Sequence, residues 1–85
     1  MDIEIVSRAF LDAMFDSLET EDYEPRGMFL CEDEVDGRAV WVAVDNRNGD
    51  ALTEEFNFKY AAMKWLRGQP TLNRWGELLN KEGAE

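Results

Sequence analysis

Apolar positions recur along this chain in two rhythms, and the change between them divides it into elements. From residue 3 to residue 19, Ile3, Val6, Phe10, Met14 and Leu18 return every three or four positions, and Leu11 and Phe15 widen the stripe. The opposite strip, Glu4, Arg8, Asp12, Asp16 and Glu19, is charged throughout. This spacing predicts a helix over 3–19. A short first strand competes with it, because Ile3 and Ile5 alternate with Asp2 and Glu4. Residues 19–26 (ETEDYEPR) read as an acidic connection closed by Pro25, whose ring cannot continue a helix.

The rhythm then changes. Residues 28–32 predict a strand, and Val40, Trp41, Val42, Ala43 and Val44 form the heart of a second. A third extended segment follows the turn cluster 45–50, so a hairpin organises the middle of the chain. Val35-Asp36-Gly37 and Arg47-Asn48-Gly49 share a grammar: each fits a three-residue loop ending in a left-handed glycine. With both loops of that length, Val42 faces Leu30 on one side and Glu54 on the other. Val40, Val44, Met28, Leu30, Leu52 and Phe56 then share the core face, and Phe29, Cys31, Trp41, Ala43, Thr53 and Glu55 take the other. A two-residue Asn48-Gly49 turn would instead set Trp41 opposite Phe56.

Helical spacing resumes with Phe58, Ala61, Ala62, Trp65 and Leu66, while Lys59, Lys64 and Arg67 face water. Asn57 is placed to cap this helix and Gly68 to end it. After Gln69-Pro70, Thr71 opens a third helix whose stripe is Leu72, Trp75, Leu78 and Leu79. Gly76 inside it costs up to about 1 kcal/mol relative to alanine. The expected fold is one α+β domain over residues 1–85: an N-terminal helix, a three-stranded antiparallel meander and two C-terminal helices (α-β-β-β-α-α).

Charge sharpens this picture. The chain has 85 residues and a net charge of −10, distributed unevenly. Residues 1–58 carry 16 acids and four bases, whereas residues 59–85 carry three acids and five bases. That balance disfavours direct binding to nucleic-acid phosphates and to an anionic membrane, and it attracts a basic protein surface. With 45% hydrophobic residues, including three Trp and five Phe, one modest core is affordable. The lone Cys31 implies no disulfide framework. Asp2 and Glu4 stand where a secretory signal would be positive. No apolar run approaches the roughly 20 residues of a membrane span. The expected setting is the cytosol.

Candidate chemistry is sparse. Without histidine and with one cysteine, transition-metal sites of the usual nitrogen and sulfur kind are excluded, as are histidine-activated nucleophiles. No phosphate-binding glycine loop is present. Residues 32–37 (EDEVDG) resemble the first half of a calcium loop, but Glu32 stands where Asp is expected and Ala43 where the closing Glu belongs. The expectation is a non-enzyme without a cofactor.

What remains is surface. Between residues 19 and 36, Glu19, Glu21, Asp22, Glu24, Glu32, Asp33, Glu34 and Asp36 face a single base, Arg26. Alternate strand residues lie about 6.6 Å apart and i,i+4 helical residues about 6 Å apart, separations comparable to those between backbone phosphates. Such an array competes for a basic nucleic-acid channel, or it simply keeps a small protein in solution. On the first helix Arg8 is placed to pair with Glu4 and Asp12. Trp41 is the second candidate: either the third helix covers it through Leu72 and Trp75, or it forms an apolar interface. The alternative function is therefore an oligomerising module built on the Trp41 face or an open strand edge, or a small-ligand sponge.

The meander of residues 42–56 (VAVDNRNGDALTEEF) followed by the helix of residues 61–68 (AAMKWLRG) resembles small acidic proteins of bacterial phages and mobile elements. Proteins of that size and charge include anti-CRISPR and other anti-defence inhibitors, some of which imitate nucleic acid. The resemblance implies a non-enzymatic inhibitor of a basic, nucleic-acid-handling effector. Those groups share no motif, so it assigns no functional residues.

Overall fold

The structure is a computed structural model that describes residues 3–19, with side chains to residue 16, and residues 26–79. It begins with strand β1 (Ile3–Ile5) and helix α1 (Arg8–Glu19). Strands β2 (Met28–Val35), β3 (Arg38–Asp45) and β4 (Leu52–Phe56) follow. Helix α2 (Lys59–Leu66) and the short strands β5 (Thr71–Leu72) and β6 (Leu78–Leu79) complete the described residues. The first four strands form one mixed sheet in the order β1-β2-β3-β4, and β5 pairs with β6 in a second. The expected three helices around a three-stranded meander do not form: among the described residues, two helices accompany a four-stranded and a two-stranded sheet.

The N-terminal difference has a local cause. Ile3 to Ile5 pair in parallel with Met28 to Leu30, and the Val6 amide extends the ladder to the Leu30 carbonyl at 2.9 Å. Ser7 then starts the helix, its Oγ accepting the Phe10 amide at 3.2 Å. A hydroxyl at this position takes one of the amides that a helix start leaves unpaired. The apolar period of 3–19 thus ran across a strand and a helix. Leu11 and Met14 are its buried residues, with Phe10 and Phe15 packed beside them; the side chain of Leu18 lies outside the described set.

Both sheet faces are covered. On one, Leu11 and Met14 of α1 pack against Phe29, Cys31, Val40, Val42 and Val44. On the other, Ala61, Ala62, Trp65 and Leu66 of α2 pack against Met28, Leu30, Ala43 and Phe56. Strand β3 lies between the two helices, which is why its sequence is an uninterrupted apolar run instead of an alternating one. Full burial of each of these larger side chains stabilises the fold by about 1.5–3 kcal/mol.

Register separates this arrangement from the expected one. The β2–β3 turn has two residues, Asp36 and Gly37, at φ 53° and 78°. Positive φ at both central positions is what a type I′ turn requires, and its twist matches that of the flanking strands. Cys31 therefore sits opposite Val42, one position from the expected Leu30. A one-residue slip exchanges the faces of a strand, so Val40, Val42 and Val44 join Phe29 and Cys31.

Across β3–β4 the slip is also one residue, and Trp41 pairs with Phe56. The connection is not the two-residue turn that would give this pairing but six residues, 46–51. Asn46 holds it together from a fully buried position. Its amide donates to the Gly27 carbonyl at 2.7 Å, and its Oδ1 accepts the Ala51 amide at 3.1 Å. Leu52, expected in the core, is exposed.

The C-terminal end is rebuilt most. Helix α2 is capped by Phe58, which is exposed and not part of the buried stripe; Asn57 instead donates to the Arg74 carbonyl at 3.2 Å. In place of a third helix, residues 71–79 form a hairpin. Asn73 Oδ1 accepts the amides of Trp75 and Glu77 at 3.0 and 2.9 Å, and Gly76 adopts φ 78°. Leu79 packs on the α2-side core, while Leu72, Trp75 and Leu78 are exposed. Arg74 ties the hairpin to β4 by a 2.7 Å backbone bond to Glu55 and a 2.8 Å side-chain bridge to its carboxylate. Among the described residues, no helix is long and apolar enough to cross a membrane.

Candidate functional site: an acidic ribbon and an apolar groove

The sheet neighbours of β2 and β3 stop short. β1 pairs only with Met28 to Leu30, and β4 only with Trp41 to Asp45, whereas β2 and β3 stay paired out to Val35 and Arg38. Residues 33–40 therefore run past both neighbours as a two-stranded ribbon closed by Asp36 and Gly37. This extension carries Asp33, Glu34 and Asp36, with Glu32 at its base opposite Trp41.

The ribbon divides them by face. Glu32 and Glu34 share the side of Met28 and Leu30 and are exposed. Asp33 points to the α1 side, where Arg8 Nη1 approaches its carboxylate at 3.6 Å and Arg8 Nε binds Asp12 at 3.2 Å. The expected Arg8–Glu4 helical pair has no place here, because Glu4 lies on β1. Asp36 stands exposed at the tip beside Arg38. Glu32, Asp33, Glu34 and Ala39 line a shallow depression of about 310 Å³.

The remaining acidic candidates divide in another way. Glu19 closes α1 with its side chain outside the described set, and Glu21, Asp22 and Glu24 lie outside the described residues. Trp41 is half-buried against the α2-side core, with Lys59 Nζ 5.6 Å from its ring centroid. A lysine over the ring face is held by the π-electron quadrupole. Neither Leu72 nor Trp75 covers the indole, as the third-helix reading required; α2 does.

The acids of 32–36 do not form a metal loop. Carboxylates on a strand alternate between faces, so Glu32, Asp33 and Glu34 cannot converge on one ion. Among the described residues, no group of three or more His, Cys, Asp or Glu is placed to hold a metal. Cys31 is fully buried. Burial first, then the nearby Asp33 carboxylate, pushes its thiol above the ordinary 9.0, the direction opposite to that of an activated nucleophile.

A second surface went unseen in the sequence. Between α2 and the β5–β6 hairpin lies a groove of about 440 Å³, lined by Phe58, Tyr60, Lys64, Leu72 and Leu78 among others. Phe58 stacks on Tyr60 with ring centroids 5.6 Å apart. Assigning Leu72 and Leu78 to a buried helical stripe hid the groove; the signals for a hairpin were Asn73 and Gly76, both turn residues.

Comparison with family models, with curated proteins and with solved structures finds no match. No residue role can be carried over from a relative.

Proposed function

We propose that this chain is a non-catalytic binding protein that docks its acidic β2–β3 ribbon on the basic surface of a nucleic-acid-handling protein. One observation carries the reading: the ribbon extends past both sheet neighbours, and Glu34 and Asp36 on it and Glu32 at its base stand in solvent. On one face, Glu32 and Glu34 stand about 6.6 Å apart, close to the spacing of backbone phosphates. Among the described residues, Arg8 bridges a ribbon acid, and it is shared between Asp33 and Asp12. The ribbon's α1 side is packed, with Val40 buried, so the face it offers to a groove or channel is the one that carries Glu32 and Glu34. Occupying the channel would block the effector, the inhibitory role implied by the resemblance to anti-defence proteins.

The test is capture from bacterial extract on the immobilised chain, at low and high salt, beside the triple variant E32K/E34K/D36K. All three side chains are exposed, but lysine at the φ 53° of position 36 costs about 1 kcal/mol, so the variant should stay folded and melt about 4–8 °C below wild type. The expected result is a basic, nucleic-acid-binding protein retained by wild type at low salt and lost from the variant. At 1 M salt, where the Debye length falls to about 3 Å, wild type should release it too. Equal retention by the variant would defeat the proposal.

A further inference from the structure

Leu72 and Leu78 face each other across β5–β6 and are 56% and 70% exposed. The opposite side of the hairpin does the packing: Thr71 is buried and Leu79 joins the α2-side core. The two outward leucines contribute little to folding, yet they stand beside the exposed Phe58–Tyr60 stack of the facing wall. Apolar surface gathered in this way on a small protein marks an interaction site.

The groove is also preformed. Asn73 binds the amides of Trp75 and Glu77 through Oδ1 and the Glu77 carboxylate through Nδ2 at 2.9 Å, which fixes the hairpin wall. The helical wall is anchored by Ala61, Ala62, Trp65 and Leu66. A partner would find both walls in place, with little ordering left to offset.

Charge selects the occupant. Residues 57–79 hold Lys59, Lys64, Arg67 and Arg74 against Glu77 alone, in a chain whose net charge is −10. Glu77 is engaged by Asn73, and Arg74 by Glu55. Lys64 lines the groove, is exposed, and forms no ion pair among the described residues. At physiological salt the Debye length is about 8 Å, so acids farther off than that are largely screened from a segment held at Lys64. A basic segment is rejected, and a second copy would bring one positive groove against another.

We propose that the groove between α2 and the β5–β6 hairpin is a docking site for a short segment of a partner protein that carries apolar anchors next to a carboxylate. The apolar side chains lie between Tyr60 and the Leu72–Leu78 pair, and the carboxylate meets Lys64. A volume of about 440 Å³ suits a few side chains of a linear segment. This surface is separate from the acidic ribbon, and neither depends on the other.

The experiment pans displayed random dodecapeptides on the full chain and on two variants, L72S/L78S and K64E. These positions are exposed, and a thermal melt of each variant verifies the fold. Enriched peptides should pair aliphatic or aromatic residues with a nearby Asp or Glu. Synthetic copies should bind wild type about tenfold or more tightly than either variant, while E32K/E34K/D36K binds them as wild type does. Three outcomes would overturn the proposal: no enrichment over L72S/L78S, enrichment of basic peptides, or wild-type self-association that L72S/L78S abolishes.

Discussion

Truncating Leu11 and Phe56, one at a time, tests whether the sheet is built on both faces. Leu11 is fully buried on the α1 side and Phe56 fully buried on the α2 side, its ring 5.9 Å from that of Trp65. Large-to-small core substitutions cost the lost transfer free energy plus the cavity left behind, about 2–5 kcal/mol for Leu→Ala and 3–5 kcal/mol for Phe→Ala. A domain of this length has a total stability of about 4–13 kcal/mol, at roughly 0.05–0.15 kcal/mol per residue. Either change therefore removes a large share of it. In a domain of this size each kcal/mol shifts the melting temperature by about 4–8 °C, so each variant should melt at least about 10 °C below wild type. Urea unfolding should show a lower midpoint at unchanged slope. Leu52→Ala is the control: expected in the core from sequence, it is 52% exposed and should change stability by less than about 0.5 kcal/mol. A one-faced sheet would make one of the two core substitutions mild. A cost below about 1 kcal/mol at either Leu11 or Phe56 would refute the two-faced packing.

Other consequences follow from single residues. The buried Cys31 thiol has its pKa raised, so above about pH 9 the folded state keeps a proton that the unfolded state releases. Its contribution is thus fully present below that pH and declines as pH rises through it toward the folded value; Cys31→Ala should show a shallower loss in alkaline melts, and an equal slope would contradict this. Gly37→Ala meets no atom within 4 Å of the new Cβ, so its cost is backbone strain alone at φ 78°, about 1 kcal/mol in a thermal melt, and a stabilised variant would contradict the type I′ turn. Asn46→Ala leaves the Ala51 amide without its 3.1 Å acceptor and should cost about 1–3 kcal/mol by urea titration; a cost below about 0.5 kcal/mol would contradict this.

The parts of the fold legible in the sequence are those where one pattern has one physical meaning. The stripe Ala61, Ala62, Trp65 and Leu66 is buried in α2 with Lys59, Lys64 and Arg67 in solvent, and Gly37 and Gly49 take the left-handed conformation. Register was not legible, because alternation fixes it only when one face is polar. Here Val40, Val42 and Val44 serve one helix while Ala43 and the half-buried Trp41 serve the other, so either parity buries apolar side chains. A decisive cue was Asp36, whose acceptance of positive φ allowed a two-residue turn. At residues 72–79, leucines at helical spacing proved to be a cross-strand pair and its neighbour. Asn73 and Gly76 outweighed that spacing, since a side-chain acceptor and a left-handed glycine favour a turn over a continuing helix.

The acidic candidates were legible as charge but not as geometry. Composition put eight carboxylates in one stretch; the strand then sent Asp33 to one face, where Arg8 meets it, and Glu32 and Glu34 to the other. The projecting ribbon could not be read at all, because it depends on where β1 and β4 stop. The apolar groove was hidden for a similar reason, its walls coming from elements that pair only in three dimensions.

The most direct measurement is a competition on the basic protein recovered by the chain. Its association with wild type and with E32Q/E34Q/D36N, which keeps side-chain size and removes charge, would be followed with and without excess single-stranded nucleic acid. The account predicts that nucleic acid displaces wild type and that the neutral variant associates about tenfold or more slowly, in line with loss of electrostatic steering. Unchanged binding by E32Q/E34Q/D36N, or a complex indifferent to nucleic acid, would contradict it.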